Sequence, residues 1–285
     1  MDAKEFASHR KSIATSFGEI AYVEKGAGPA ALFVHGVLLN GYLWRNVIER
    51  LSDQRRCLAV DLMGHGATRI ADDQDLSFDA QARMLAAFVD ALGLKQVDLV
   101  GNDSGGGIAQ IFAAHHPERI RTLTLTNCDV DDNVFPADFV PLVELIKGGG
   151  MLGVFKPLLG NPEAARKAFA GTFEDPERVS AETLDAFLRP AIEQEESSRS
   201  GQRWMQALRA EDLSRVTPKL RELQAPTLIV WGTGDTTFDV TWAYRLKETI
   251  PGATEVIEVP GAKLFFPEER PELLAEHLRR FWTPA

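Results

Sequence analysis

The sequence predicts an α/β fold: a mostly parallel sheet of eight strands, helices on both faces and a helical insertion. Three observations carry this expectation. Short apolar runs alternate with segments whose apolar residues recur at helical spacing, the pattern of a sheet wound with helices. Several of these runs are apolar at every position, as strands covered on both faces must be. The alternation stops between 132 and 223, where only helical patterning occurs, and then resumes. We therefore expect a core of residues 1–131 and 224–285 and a cap (lid) of residues 132–223. A chain of 285 residues is long enough for one such domain with an insertion.

The elements read in order. "KSIATS" and "EIAYVEK" alternate about Phe17-Gly18 and form a hairpin. "AALFVHG" at 30–36 is a buried strand, followed by a helix from Trp44 to Leu51. "RCLAVD" at 56–61 is the next strand. Residues 77–92 have helical spacing behind Ser77, a good N-cap. "QVDLVG" at 96–101 is a further buried strand, succeeded by a helix from about Gly105 to His115, and "RTLTLTN" at 121–127 is another. Past the insertion, "PTLIVWG" at 226–232 and "TEVIEVP" at 254–260 complete the strands, and an amphipathic helix spans 268–282 with Pro271 near its first turn. Within the insertion, the glycines at 148–150 mark a helix break or a hinge.

Composition narrows the function. A net charge of −10 argues against nucleic-acid binding, which needs a basic surface. No apolar stretch approaches the length of a membrane span, and the amino terminus lacks the apolar core of a secretory signal, so cytoplasmic residence is expected. Cys57 and Cys128 lie in or beside buried runs, with no metal-ligand spacing, and read as small core residues. No cofactor and no metal is implied. A monomer and a homodimer both remain open.

Chemistry gathers at the carboxyl ends of the strands, where sheets of this kind bind ligands. "VHG" ends one strand, "VDLMGHGAT" follows the next, "GNDSGG" ends the third, and "WGTGD" follows the strand after the insertion. Together and in this order they resemble the α/β-hydrolase superfamily over nearly all of the chain outside the insertion. In that resemblance "GNDSGG" is the nucleophile elbow, a tight strand-to-helix turn with small residues two positions either side of the nucleophile. Centring on Asp103 places Gly101 and Gly105 at those positions, whereas centring on Ser104 would put Asn102 at one of them. Asp103 is thus the elbow residue, although a carboxylate there can also serve as a plain helix cap.

An aspartate at this point resembles the haloalkane dehalogenase and epoxide hydrolase branch. Its carboxylate attacks a saturated carbon without needing a base and leaves an ester on the enzyme. The resemblance implies an oxyanion hole from the backbone N–H groups of Val37 and Ser104, and an acid at Asp235. Asn127 occupies the alternative acid position. The histidine that should activate water is missing: in "PGAKLFFPEERPE" the flanking residues place Leu264 where it belongs. His35 and His65 belong to fold motifs, His115 and His116 end a helix, and His277 lies in the last helix. Lys263 is a conceivable substitute base, although the alternation of side chains along an extended segment turns it away from Leu264. The alternative is that Asp103 and Asp235 face each other as a carboxylic acid and carboxylate pair.

Two further departures bear on the substrate. Dehalogenases of this branch hold the halide with a tryptophan after the nucleophile, where this chain has Ser104. Related epoxide hydrolases use cap tyrosines, yet Tyr22, Tyr42 and Tyr244 all lie outside the insertion. The insertion supplies apolar bulk, including Phe135, Phe139, Phe155 and Met205, so a small, mainly apolar organic substrate is expected, with Asn127 and Trp204 as candidate contacts. Three readings follow: a hydrolase with an Asp103 nucleophile and an incomplete triad; a lyase, isomerase or cyclase using Asp103 as acid or base; or a ligand-binding protein that has lost its chemistry.

Overall fold

Aliphatic and β-branched runs do become strands buried on both faces in the computed structural model, which describes residues 1–134 and 139–283. Eight strands form one sheet: β1 (Arg10–Thr15), β2 (Gly18–Lys25), β3 (Ala30–Val34), β4 (Arg56–Val60), β5 (Val97–Asp103), β6 (Ile120–Cys128), β7 (Thr227–Gly232) and β8 (Ala253–Val259). Their order is β1-β2-β4-β3-β5-β6-β7-β8. The pairs β1·β2 and β2·β4 are antiparallel and the others parallel. Every residue of β3, β5 and β7 is buried, while the edge strands β1 and β8 are mostly exposed or half-buried. Each Val or Leu so enclosed contributes about 1.5–3 kcal/mol, which fixes the register of the central strands.

This strand order places the site. The chain leaves β3 toward β4 on one side and returns to β5 on the other, so the order reverses between β3 and β5. A crevice opens at the carboxyl ends of two such strands. Val34 of β3 lies beside Gly101 of β5, which brings the segment after β3 against the end of β5.

The helix Ser104–His115 grows directly out of β5 and is buried through most of its length. Close packing explains its glycines. A Cβ on Gly105 would meet the His35 and Val34 carbonyl oxygens at 2.3 and 2.4 Å; one on Gly106 would meet the Cys128 Cβ at 2.3 Å. Ser77 caps the helix Phe78–Ala91 by accepting the Ala80 N–H at 3.3 Å. Cys57 and Cys128 are buried, and burial pushes the Cys57 thiol up to about 12, which leaves it unreactive near neutral pH.

Helices fill the segment between β6 and β7, and Phe135 falls outside the described residues. Helix Val140–Leu145 continues through a widened turn, Ile146–Gly150, into Met151–Phe155, with Gly149 at φ 101°. The glycines thus bend the chain without ending it. Helices Ala181–Ile192 and Glu195–Ala207 pack together, whereas Ala210–Ser214 and Thr217–Leu220 pack on the helix after β5. A buried arginine, paired within the core, ties the insertion to the rest through Thr183. Arg45 donates to Glu268 Oε1 at 2.6 Å and to Thr183 Oγ1 at 3.0 Å, and its guanidinium lies 3.9 Å from the centre of the Tyr42 ring. Two details depart from the sequence reading. A short helix, Ala3–Ser8, capped by Asp2, precedes β1, and the last helix is split at Arg270 into Phe266–Glu269 and Pro271–Trp282. Among the described residues, no helix is long and apolar enough to cross a membrane.

The packing against Gly105 yields a stability prediction. Gly105→Ala should lower stability by about 3 kcal/mol or more, because its neighbours are backbone atoms that cannot yield. Gly153, a helical glycine with open space around it, should accept alanine with no loss, or a gain of up to about 1 kcal/mol. Urea denaturation midpoints of the two variants check this.

Candidate active site

Asp103 sits at φ 57°, ψ −138°, a conformation that non-glycine residues avoid and that persists only where the surroundings enforce it. The turn throws its side chain back toward the segment after β3. There the Val37 N–H donates to Asp103 Oδ2 at 3.1 Å, and the Ser104 backbone N–H also donates to the carboxylate. Gly36 is required in this embrace, since a Cβ there would lie 2.1 Å from Asp103 Oδ2. Three of the predicted residues, Asp103, Val37 and Ser104, are thus brought together. Both N–H groups thus donate to the Asp103 carboxylate, where they oppose loss of its charge.

A second carboxyl stands beside this one. Asp129 follows β6, whose Cys128 is paired with Asp103, and it is as buried as Asp103. The Ser104 hydroxyl hydrogen-bonds it, yet its Oδ2 has no hydrogen-bond partner. Burial raises both acids; the neighbouring Asp129 charge raises Asp103 further, and Asp235 adds a smaller push. Asp103 rises well above the ordinary 3.8 and Asp129 reaches about 7. Two carboxyls this strongly coupled titrate as a pair, and near neutral pH the pair keeps one proton. The N–H donors on Asp103 oppose its protonation while burial and the Asp129 charge favour it, so the one proton belongs to the pair.

Asp235 remains apart from this pair's cavity. It is buried and held by the Thr237 N–H at 2.8 Å, by Asn127 Nδ2 at 2.8 Å and by the Phe238 N–H; burial raises it to about 6. Asn127 is fully engaged, donating to Gly232 O and Asp235 and accepting the Gly232 N–H at 2.7 Å. It clasps the ends of β6 and β7 and does not border the cavity. Trp204 is completely buried with its ring edge-on to His65 at 4.8 Å, also away from the cavity.

The buried histidines have other occupations. Leu62 N–H donates to His35 Nε2 at 3.0 Å, leaving Nδ1 to donate to Gly36 O at 2.8 Å, and burial lowers its pKa to about 4. His65 is lowered to about 3 by burial, then by its neighbour His35. Among the described residues, no histidine borders the cavity, but Leu264 does. Asn102 Nδ2 holds Leu264 O at 2.9 Å, fixing that segment against the elbow. Lys263 points elsewhere, donating to Ala170 O at 3.0 Å.

The cavity has a volume of about 140 Å³, comparable to an apolar cavity that takes up benzene. Its walls are mainly Leu142, Ile146, Phe155, Phe169, Met205 and Leu264, and Asp103, Ser104 and Asp129 supply most of its polar border. Asp129 is the residue that sequence reasoning passed over. The signal was available: "TNCDVDD" carries an acid just past a buried strand, the position where ligands gather.

Fold and elbow together define the class. The chain belongs to the alpha/beta hydrolase fold family, whose sequence profile it matches over residues 29–270. Within that class its sequence falls with the dehalogenases. It is 32% identical over 270 residues to haloalkane dehalogenase 2 of Mycobacterium tuberculosis, covering 92% of this chain and 90% of that one. It is 30% identical over 235 residues to the 2-hydroxy-6-oxo-2,4-heptadienoate hydrolase of Pseudomonas putida, covering 79% of each. In structure it is similar to the epoxide hydrolase CorEH, with a TM-score of 0.79 at 22% identity over 96% of this chain and 98% of the other. That last likeness is one of fold.

The raised carboxyls carry a prediction about stability. A group whose pKa is raised by folding binds its proton more tightly in the native state, so its contribution is lost as pH rises from 3.8 toward about 7. The groups that face each other here are Asp103, Asp129 and, more remotely, Asp235, beside the neutral Cys128 thiol. Asp129→Asn removes the coupled charge and keeps an acceptor for Ser104. It should raise the melting temperature at pH 8 by several degrees, a gain that shrinks or vanishes at pH 4. Melting curves at the two pH values check the sign.

Proposed function

We propose that this chain is a hydrolase in which Asp103 attacks a saturated carbon of a small apolar substrate and carries it as an ester. The observation behind this reading is the placement of the Asp103 carboxylate on the strained elbow. The carboxylate accepts the Val37 and Ser104 N–H groups, and the residue borders an apolar cavity. Burial weakens solvation of the nucleophile, and the N-terminus of helix Ser104–His115 supports its charge. In the second step water adds to Cγ of Asp103, the same N–H pair holds the resulting oxyanion, and the substrate leaves as an alcohol. The family's water-activating histidine is replaced by Leu264, so the triad is incomplete and Asp235 has no imidazole to orient. Similarity to a haloalkane dehalogenase and a hydrolase supports the reaction class.

The missing imidazole favours a second reading, acid–base chemistry by Asp103 without hydrolysis. One labelling experiment separates the two. In a single turnover in heavy-oxygen water with an epoxide of about six carbons, the label should enter the Asp103 side chain and the first product should carry ordinary oxygen. Peptide mass spectrometry reads this. Label going straight into product, or product with no water oxygen in any turnover, overturns the nucleophile reading.

Supplying the missing base is a second test. Leu264→His should speed hydrolysis of the ester on Asp103 by about 10²-fold, the lower end for general-base catalysis, without changing the rate at which the ester forms. Pre-steady-state kinetics separate these two rates.

A further inference from the structure

We propose that Asp129 is a catalytic proton carrier that takes the place of the absent imidazole, and that the pair it forms with Asp103 suits substrates whose leaving oxygen must be protonated, such as small apolar epoxides. This rests on Asp103 being the nucleophile. The other polar side chains on the cavity border are engaged. The Thr172 hydroxyl donates to Phe169 O at 2.9 Å, the Thr237 hydroxyl is engaged with Asp235, and the Ser104 hydroxyl with Asp129. The Val37 and Ser104 N–H groups are held by Asp103. Asp129 Oδ2 is buried and has no partner. Fully enclosed polar atoms almost always find partners, and this one is left free in the residue next to the nucleophile.

An epoxide oxygen needs a proton, and the acid form of Asp129 has one. When Asp103 attacks an epoxide carbon, the carbon–oxygen bond breaks and its electron pair goes to the ring oxygen. That oxygen takes the proton from Asp129, giving a hydroxyalkyl ester on Asp103 and a carboxylate on Asp129.

Asp129 therefore becomes a base at the step that needs one. It takes a proton from water while the hydroxide adds to Cγ of Asp103. The bond from Cγ to the alkyl oxygen then breaks, and the alkoxide recovers the proton from Asp129 and leaves as a diol. Asp103 is released as the acid beside an Asp129 carboxylate. The pair ends with the one proton it began with, and the net reaction is epoxide plus water to diol. A haloalkane breaks this cycle: its first step consumes no proton, so Asp129 reaches the second step still protonated and cannot accept one from water.

The test compares an epoxide and a primary bromoalkane of equal carbon number on wild type and Asp129→Asn, following the ester on Asp103 by mass spectrometry. Wild type should turn the epoxide over repeatedly, and should accumulate stoichiometric ester from the bromoalkane. In Asp129→Asn, ester formation from the bromoalkane should proceed at the wild-type rate, whereas epoxide opening should fall by about 10²-fold or more. A purely structural role for Asp129 would depress both reactions together, and that result, or unaltered epoxide opening, overturns the proposal. If the variant does not fold, equal turnover of the two substrates by wild type overturns it as well. Ester absent from Asp103 with both substrates in both proteins would instead remove the nucleophile reading on which the proposal stands.

Discussion

The backbone bend at Asp103 is the constraint to which the rest of the structure answers. A residue at φ 57°, ψ −138° carries strain of about 1–3 kcal/mol, and nothing local to the turn relieves it. It persists because β5 is buried along its whole length and because Gly101 and Gly105 let the helix and the segment after β3 close upon it. The bend decides where the carboxylate points, which N–H groups meet it, and that the helix amino terminus lies at its back. Relaxing it would scatter these groups without breaking a strand.

A comparison within the protein shows how unusual the Asp103–Asp129 arrangement is. Asp98, at the other end of β5, is also buried, and it is saturated with partners: Arg55 at 2.9 Å, Arg121 at 2.7 Å and the Thr122 hydroxyl at 2.9 Å. Asp61 accepts the Gly41 and Ala67 N–H groups at 2.8 and 2.9 Å. Both of these structural carboxylates are satisfied through both oxygens or by several donors. Beside the cavity it sets two acids together, gives them no cation, and leaves one oxygen bare. Like charges in an apolar enclosure are unfavourable unless a proton is retained, so the arrangement stores a proton where a reaction can reach it.

Much of this was legible in the sequence, and the reasons differ by element. Uninterrupted apolar runs such as "AALFV" and "QVDLVG" announced central strands, because burial on both faces leaves no room for alternation. The elbow could be centred on Asp103 because glycine spacing reports close packing, which the Cβ approaches at Gly101 and Gly105 bear out. The strand-to-helix junctions read well for the same reason. The helix Ala3–Ser8 was not legible: a single buried aromatic, Phe6, anchors six residues, too short a segment for periodicity to register. Asp129 was obscured differently. Its importance comes from what surrounds it in space, Ser104, Gly107 and Asp103, and no spacing along the chain encodes a missing partner. Asn127 and Trp204 illustrate the converse, since residue types suited to binding are consumed by strand ends and by a neighbouring imidazole.

The wall that carries Leu264 is fastened from several directions. Asn102 grips its carbonyl, Phe265 N–H donates to Thr172 O at 3.0 Å, the Phe173 ring meets Phe265 at 5.3 Å, and four residues on Glu268 is locked to Arg45 and thereby to the helix holding Thr183. Roof and wall are riveted into one frame, so the chamber has little freedom to swell around a guest. Its dimensions then act as a sieve ahead of any chemistry. A lineage seeking new reactants would do so by trading side chains along the lining, with the hinge of the chamber left untouched.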